Sequence, residues 1–324
     1  MERVMTSTNY SYSKDKQNHV FSTFLKHLRQ NNDLSQEQLC LHLRQHSSLF
    51  YNLDTITVSR WERGVNIPSL AKQAEIVELY DNELTSIYSR DKQFLKECSN
   101  LVAIPNAPEI KSSHPYYAND EYQIKNIDIE DDSFYLVLKM ILRYEGNPSL
   151  KLKHPLEDFF WLKNVKISIA IAFNGQIVGH GLYLETSAQN FLELVNINSD
   201  LSEIVANCDK KDRDAMLVLS SAGATKQVEN SIMSTYINQF SQQKYLRYLC
   251  FSICDEGFIK KLNTAKLEPF KARNMEFNDR MIAIHSFLLS RSELMANRFL
   301  LKLAVISPKR LVTFLGNDEQ GGCS

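Results

Sequence analysis

Asp54-Thr55-Ile56-Thr57-Val58-Ser59-Arg60-Trp61-Glu62-Arg63-Gly64 is a short helix that carries its own start and stop signals. Asp54 is an N-cap residue, and Gly64 stands where a helix ends in the left-handed conformation. Val58 and Trp61 are three residues apart, so they share one side, with Leu53 just before them. Thr55, Ile56, Thr57, Ser59 and Arg60 are left on the other side. Such a helix is clamped by one face and presents the other.

The surroundings repeat the same logic. Upstream, Phe21, Phe24, Leu25 and Leu28 fall at helical spacing, and Asn31-Asn32-Asp33 ends that helix. Ser35 and Gln38 make a capping box for a helix from Gln36 to Leu43. Downstream, Pro68-Ser69 opens another helix with Leu70, Ala74, Val77 and Tyr80 on its inner side. Residues 18–85 therefore read as four or five short helices with no strand. Residues 1–17, rich in Ser, Thr, Asn and Lys, read as a disordered tail.

Three pieces in this order, Leu34-Ser35-Gln36-Glu37-Gln38-Leu39, Val58 to Gly64 and Pro68-Ser69-Leu70, resemble the Cro/C1-type (XRE-family) helix-turn-helix domain, a lambda-repressor-like all-α fold. The resemblance implies a transcriptional regulator whose helix Thr55 to Arg63 enters the major groove of double-stranded DNA, which is about 12 Å wide. Thr55, Thr57, Ser59 and Arg60 would then face bases. Ile56 is open to two readings, contact with a thymine methyl or packing on the adjacent loop. Ser35, Gln36, Arg44, Arg63 and Lys72 are expected near phosphates. Leu53, Val58 and Trp61 anchor the helix, and the resemblance implies a pair between Glu62 and Arg29. One departure is an insertion of about eight residues, Gln45 to Asn52, between the second and third helices.

Pro105, Pro108 and Pro115 lie among polar residues, so 86–120 reads as a helix followed by a linker. Beyond it, strand-like and helix-like runs alternate. Strands are expected at Tyr122–Ile127, Lys166–Phe173, Gln176–Leu184, Met216–Ser220, Tyr248–Cys254 and Arg280–Leu289. Helices are expected at Asp132–Tyr144, Thr225–Phe240, Glu256–Leu267 and Glu293–Leu303. Asn174-Gly175 is a strong hairpin signal. Residues 121–315 thus form a mixed α/β effector or dimerisation domain, with a tail at 316–324.

This order loosely resembles the GNAT acetyltransferase fold. That resemblance implies a glycine-rich pyrophosphate turn before a helix, yet the matching stretch is Ala224-Thr225-Lys226-Gln227-Val228-Glu229, with only Gly223 nearby. The expected catalytic tyrosine after a phenylalanine is Ile259, following Phe258. Glu185 is a strand-end carboxylate, expected to be solvated, and His180 and His285 are expected to be core or edge histidines. No catalytic or metal-ligating residue is assigned, and no cofactor, although an acyl-CoA stays open.

The bulk numbers agree with a soluble two-domain chain of 324 residues, 44% apolar and with a net charge of −1. A charge so near zero implies weak non-specific DNA binding, so that reading rests on the motif alone. Six scattered cysteines and the lack of an apolar leader imply a reducing cytoplasm and no membrane. Cys250 and Cys254 are expected as small buried residues. The sequence reading is therefore multidomain: an all-α helix-turn-helix unit plus a GNAT-like α/β domain. It acts as a DNA-binding regulator, a homodimer on a palindromic operator with room for a small-molecule effector. Two alternatives stay open: an acyl-CoA-dependent N-acyltransferase with the helical unit attached, and an antitoxin-like protein-interaction module.

Overall fold

The computed structural model of the chain describes residues 19–102, 114–117, 121–145, 164–197, 201, 208–254, 256–264, 267–277 and 280–306. The tails expected at 1–17 and 316–324, and most of the expected linker, lie outside them. Six helices come first: α1 (Val20–Asn31), α2 (Gln36–His46), α3 (Thr55–Glu62), α4 (Leu70–Leu79), α5 (Leu84–Tyr88) and α6 (Lys92–Val102). Local chemistry sets their ends. Asp33 takes a positive φ of 53° after α1. The Ser35 hydroxyl and the Gln38 side chain form a reciprocal box at α2. The Asp54 carboxylate accepts from the Thr57 N–H at 2.6 Å.

The insertion between α2 and α3 folds into a single 3-10 turn, Ser48–Phe50, which sinks Phe50 fully into the helical core and leaves Tyr51 exposed. Val58 and Trp61 are buried as well. Arg29 meets Glu62 through Nε–Oε1 at 2.5 Å and Nη2–Oε2 at 3.1 Å, and its Nη1 donates to the Leu34 carbonyl at 2.8 Å. The Gln36 amide also donates to Glu62, at 2.7 Å. This two-pronged pair ties α1 to α3 and raises the Arg29 pKa, chiefly through the Glu62 hydrogen bond. Glu62→Gln leaves a partly buried guanidinium short of its counter-charge and should cost about 2 kcal/mol, read as a lower denaturant midpoint at unchanged slope.

The second half is built on strands β1 (Tyr122–Ile127), β2 (Val165–Ala172), β3 (Ile177–Thr186), β4 (Ala215–Gly223), β5 (Tyr248–Ile253), β6 (Lys271–Phe277) and β7 (Arg280–Ser290). They form one sheet in the order β1-β2-β3-β4-β5-β7-β6. The β4–β5 pair is parallel and the others are antiparallel. Gly175 turns the β2–β3 hairpin with φ 82°, the left-handed backbone that glycine adopts without strain.

Helices α7 (Phe134–Tyr144) and α8 (Ala188–Ile197) cover one face of the sheet through Phe134, Val137, Leu138, Ile141, Phe191 and Leu194. Helix α9 (Lys226–Gln242) covers the other through Val228, Ile232, Tyr236 and Phe240. The remaining helices are α10 (Glu256–Thr264), α11 (Arg291–Ala296) and α12 (Arg298–Val305).

The expected separate all-α domain is corrected by the packing. Buried residues of α1 to α6 belong to the same apolar cluster as α9, α11 and α12. Helix α4 packs on α11, and α5 and α6 pack on α12. The Glu97 carboxylate of α6 accepts from Arg298 at 2.8 Å and from Lys302 at 2.9 Å. A helical unit on a free linker needs a closed core of its own, and here that core continues into the sheet layer.

Smaller differences have local causes. The single last helix expected at Glu293–Leu303 breaks at Asn297, whose Oδ1 accepts from the Phe299 and Leu300 N–H groups and starts α12 afresh. Strand β6 is absent from the sequence reading because this edge strand carries charged residues on both faces, Lys271 and Arg273 on one and Glu276 on the other, which blurs its apolar alternation. The sequence reading also places no helix at α8, although the Ser187 hydroxyl, accepting from the Asn190 N–H at 3.1 Å, is a legible cap. No helix among the described residues is long and apolar enough to cross a membrane.

Candidate functional site

The chemistry of the chain gathers where β4 breaks its own alternation. Leu182 pairs with Ser220 and Tyr183 with Val218, so Leu219 is an extra residue, a bulge. Leu217 and Leu219 pack towards α7 and Val218 towards α9. The bulge resets the phase, and Ser220 also turns to the α7 side, where it meets His180 and Glu145.

The same bulge ends the parallel pairing. Strand β5 runs with β4 only from Ala215–Tyr248 to Val218–Phe251. Beyond that point β4 stays with β3 as far as Gly223, and β5 stays with β7 as far as Ile253. The two strands therefore part into a wedge that opens at their carboxyl ends. Past Val218 no described strand pairs with β4 on the wedge side.

Helices α9 and α10 start at the mouth of this wedge, each following one of the parting strands. The Thr225 hydroxyl caps the Val228 N–H at 3.3 Å. Lys226 lies 5.8 Å from the Phe258 ring centroid, reaching from one helix to the other, and it also pairs with Glu229. An anion here would meet an ammonium and the positive end of a 17-residue helix. Gly223 supplies the close approach beneath, since a Cβ on it would stand 2.5 Å from the Glu229 nitrogen.

A second cluster lies on the α7 face beside the bulge. His180 Nε2 is 2.7 Å from the Ser220 hydroxyl, which donates onward to the Glu145 carboxylate. The single Ser220 proton is committed to that carboxylate, so Ser220 accepts from Nε2–H and His180 Nδ1 accepts from the Tyr116 hydroxyl at 2.6 Å. His114 lies 4.5 Å from His180, centroid to centroid, and its Nε2 donates to the Ile141 carbonyl at 3.1 Å. Burial holds both imidazoles below the usual histidine range and raises the Tyr116 phenol. His180 is thus a satisfied core histidine, as expected, but one that belongs to a polar cluster.

The other residues singled out by sequence fall elsewhere. Thr55, Ile56 and Arg60 are exposed on α3 and Arg63 just after it, Thr57 and Ser59 are half-buried, and Ser35 and Arg44 are exposed on the α2 side. Ile56 is 62% exposed, so it does not pack on the adjacent loop. Arg63 donates to the Ser59 carbonyl at 3.2 Å, and Lys72 lies 5.9 Å from the Trp61 ring centroid. Glu185 differs from the solvated carboxylate expected: it accepts from Lys166 and from the Tyr245 hydroxyl, each at 2.9 Å. Burial, and next Glu185, push the Tyr245 phenol up to about 12. His285 is a half-buried strand histidine, Cys250 is buried and Cys254 is partly exposed. His114, Tyr116, Glu145 and Ser220 carried no sequence signal, since a contact such as Glu145–Ser220 spans 75 residues.

No family model and no curated protein sequence matches the chain. Among solved structures, Arabidopsis thaliana NAA60 in complex with a bisubstrate analogue aligns at 9% identity and a TM-score of 0.35, over 52% of this chain and 99% of that one. The Drosophila melanogaster polyamine N acetyltransferase aligns at 11% identity and a TM-score of 0.33, over 52% and 100%. MesI, a CoA-dependent acyl-homoserine lactone synthase, aligns at 16% identity and a TM-score of 0.31, over 57% and 96%. These likenesses fall on acyl-transferring proteins and on none described as an XRE-family helix-turn-helix regulator. The DNA-binding and helix-turn-helix terms of the sequence reading therefore find no support among the comparisons.

Proposed function

We propose that the sheet domain binds an acyl-CoA thioester in the wedge between β4 and β5 and passes the acyl group to an amine. The observation that carries this reading is the parting of the one parallel strand pair at the Leu219 bulge, with a helix N-terminus at its mouth. Parallel strands bind ligands at their carboxyl ends, at the point where neighbouring strands separate. A pantetheine arm carries two amides, and the wedge side of Leu219–Gly223 offers an extended backbone able to bond it as a further strand would. When bound, the group supplies a thioester carbonyl open to attack by an amine. The chain's own part is to fix the arm and to hold the pyrophosphate against Lys226 and the first turn of α9.

The residues fit this group with one exception. Glu229 places a carboxylate in the same turn and holds Lys226, which lowers the attraction for a pyrophosphate. Glu229→Gln should therefore tighten acetyl-CoA binding about fivefold, and Lys226→Ala should weaken it about as much, as expected for charges at a helix start. Isothermal titration of the full chain with acetyl-CoA and with CoA measures both. Absence of binding to the parent chain and to Glu229→Gln at millimolar ligand would remove the proposal. Release of free thiol with a panel of small amines then reads the transfer step.

A further inference from the structure

The cluster on the α7 face is independent of the wedge reading, and its donor set points to a different ligand. We propose that His114, Glu145 and His180 form a binding site for a zinc-like divalent transition-metal ion, pinning the 114–117 segment to the end of α7 and to β3.

Three arguments lead there. One ligand atom from each residue lies within 4.8 Å of the other two, so small side-chain rotations bring all three to the ~2.0–2.2 Å bonds that zinc makes. His180 Nε2 and the Glu145 carboxylate already converge on one point, since the Ser220 hydroxyl touches both. Each imidazole also carries the outer hydrogen bond that orients a ligating ring. His114 Nε2 donates to the Ile141 carbonyl at 3.1 Å, which fixes the lone pair on Nδ1. His180 Nδ1 bonds the Tyr116 hydroxyl at 2.6 Å.

The protons balance without loss of charge. On metal binding the His180 proton shifts from Nε2 to Nδ1, Tyr116 changes from donor to acceptor, and Nε2 becomes the ligand. Ser220 can stay bonded to Glu145 or take a fourth position. Two imidazoles and one carboxylate select zinc, cobalt or nickel over magnesium and calcium, which require mostly oxygen ligands.

The test uses the full chain, stripped with chelator and with its accessible thiols alkylated, because Cys208 and Cys254 are partly exposed. Titration with Zn²⁺ alone, and with Co²⁺ followed by its visible spectrum, should give one ion per chain and a tetrahedral or five-coordinate cobalt band without thiolate charge transfer. Mg²⁺ and Ca²⁺ should not compete. Glu145→Gln, at the partly exposed end of α7, should lower zinc affinity at least roughly 100-fold while the chain keeps its far-ultraviolet spectrum; loss of a hydrogen bond that merely orients a ligand costs roughly 10–100-fold. His180→Gln should abolish binding. Because His180 is fully buried, its result counts only if that spectrum is retained. Failure of the parent chain to bind zinc at 100-fold excess would overturn the proposal, as would full-affinity binding by Glu145→Gln. Neither result bears on acetyl-CoA binding, so the two readings fail separately.

Discussion

Arg291→Ala should lower the stability of the chain by about 4 kcal/mol, the largest loss expected from any one side chain outside the apolar core. Arg291 opens α11, yet its guanidinium works at the far end of α9. Nη1 donates to the Ser241 carbonyl at 2.9 Å, and Nη2 reaches the carbonyls of Phe240, Gln243 and Leu246 at 3.1, 2.7 and 2.8 Å. A helix ends with four carbonyls that have no intrahelical donor, and here one planar cation bonds several of the acceptors around that end. It also sits at the negative end of the helix dipole and 4.8 Å from the Phe240 ring centroid.

Burial lowers the Arg291 pKa, with Glu83 and Glu78 acting the other way. The cation therefore pays a desolvation cost, offset chiefly by the carbonyls that accept from it. Alanine removes every donor at once and leaves partly buried acceptors unsatisfied. Lysine keeps the charge but lacks the planar fork, so Arg291→Lys should recover less than half of the loss. Chemical denaturation followed by circular dichroism measures all three chains. A loss under 1 kcal/mol for alanine would show that water satisfies the α9 terminus just as well.

The same comparison explains what was legible in the sequence. Ser35, Asp54 and Asn174-Gly175 act on groups two or three residues away, so their caps and turn could be read from spacing. Arg291 acts on carbonyls 45 to 51 residues away, and nothing in its own neighbourhood announces that. The helical half was readable as helices for the local reason, but its separateness was not. Ile76, Ile87 and Phe94 are buried against the continuous core, and a helix pattern shows that a face is apolar without showing what covers it. The function drawn from α3 lacks support for the same reason: a clamped helix with a polar side describes a shape, and the shape fits many partners. In the sheet half, the element order was visible. The wedge was not, because the one-residue bulge at Leu219 leaves the run Met216 to Ser220 looking like any buried strand. The histidine–glutamate cluster depends on that bulge turning Ser220 towards His180, so it was hidden with it.

Gly223→Ala should cost about 3 kcal/mol and also close the wedge to ligands. Its Cβ would stand 2.5 Å from the Glu229 nitrogen, 2.9 Å from the Glu229 Cα and 3.1 Å from the Val228 carbonyl carbon, all of them backbone. Side chains could rotate away, but the first turn of α9 cannot, so the helix must slide or the strand end must bend. Either movement shifts Lys226 and the Thr225 cap at the wedge mouth.

Gly175 provides the contrast within the same sheet. No atom lies within 4 Å of a Cβ there, and its φ is 82°. Gly175→Ala should therefore cost only about 1 kcal/mol, all of it conformational, and Gly175→Asn should recover most of that because asparagine tolerates the left-handed region. At Gly223 the conflict is one of space, so asparagine or serine should do no better than alanine. If Gly223→Asn matched the parent in both stability and acetyl-CoA binding, α9 would not be seated on the end of β4, and the anion-facing geometry assigned to its first turn would lose its foundation.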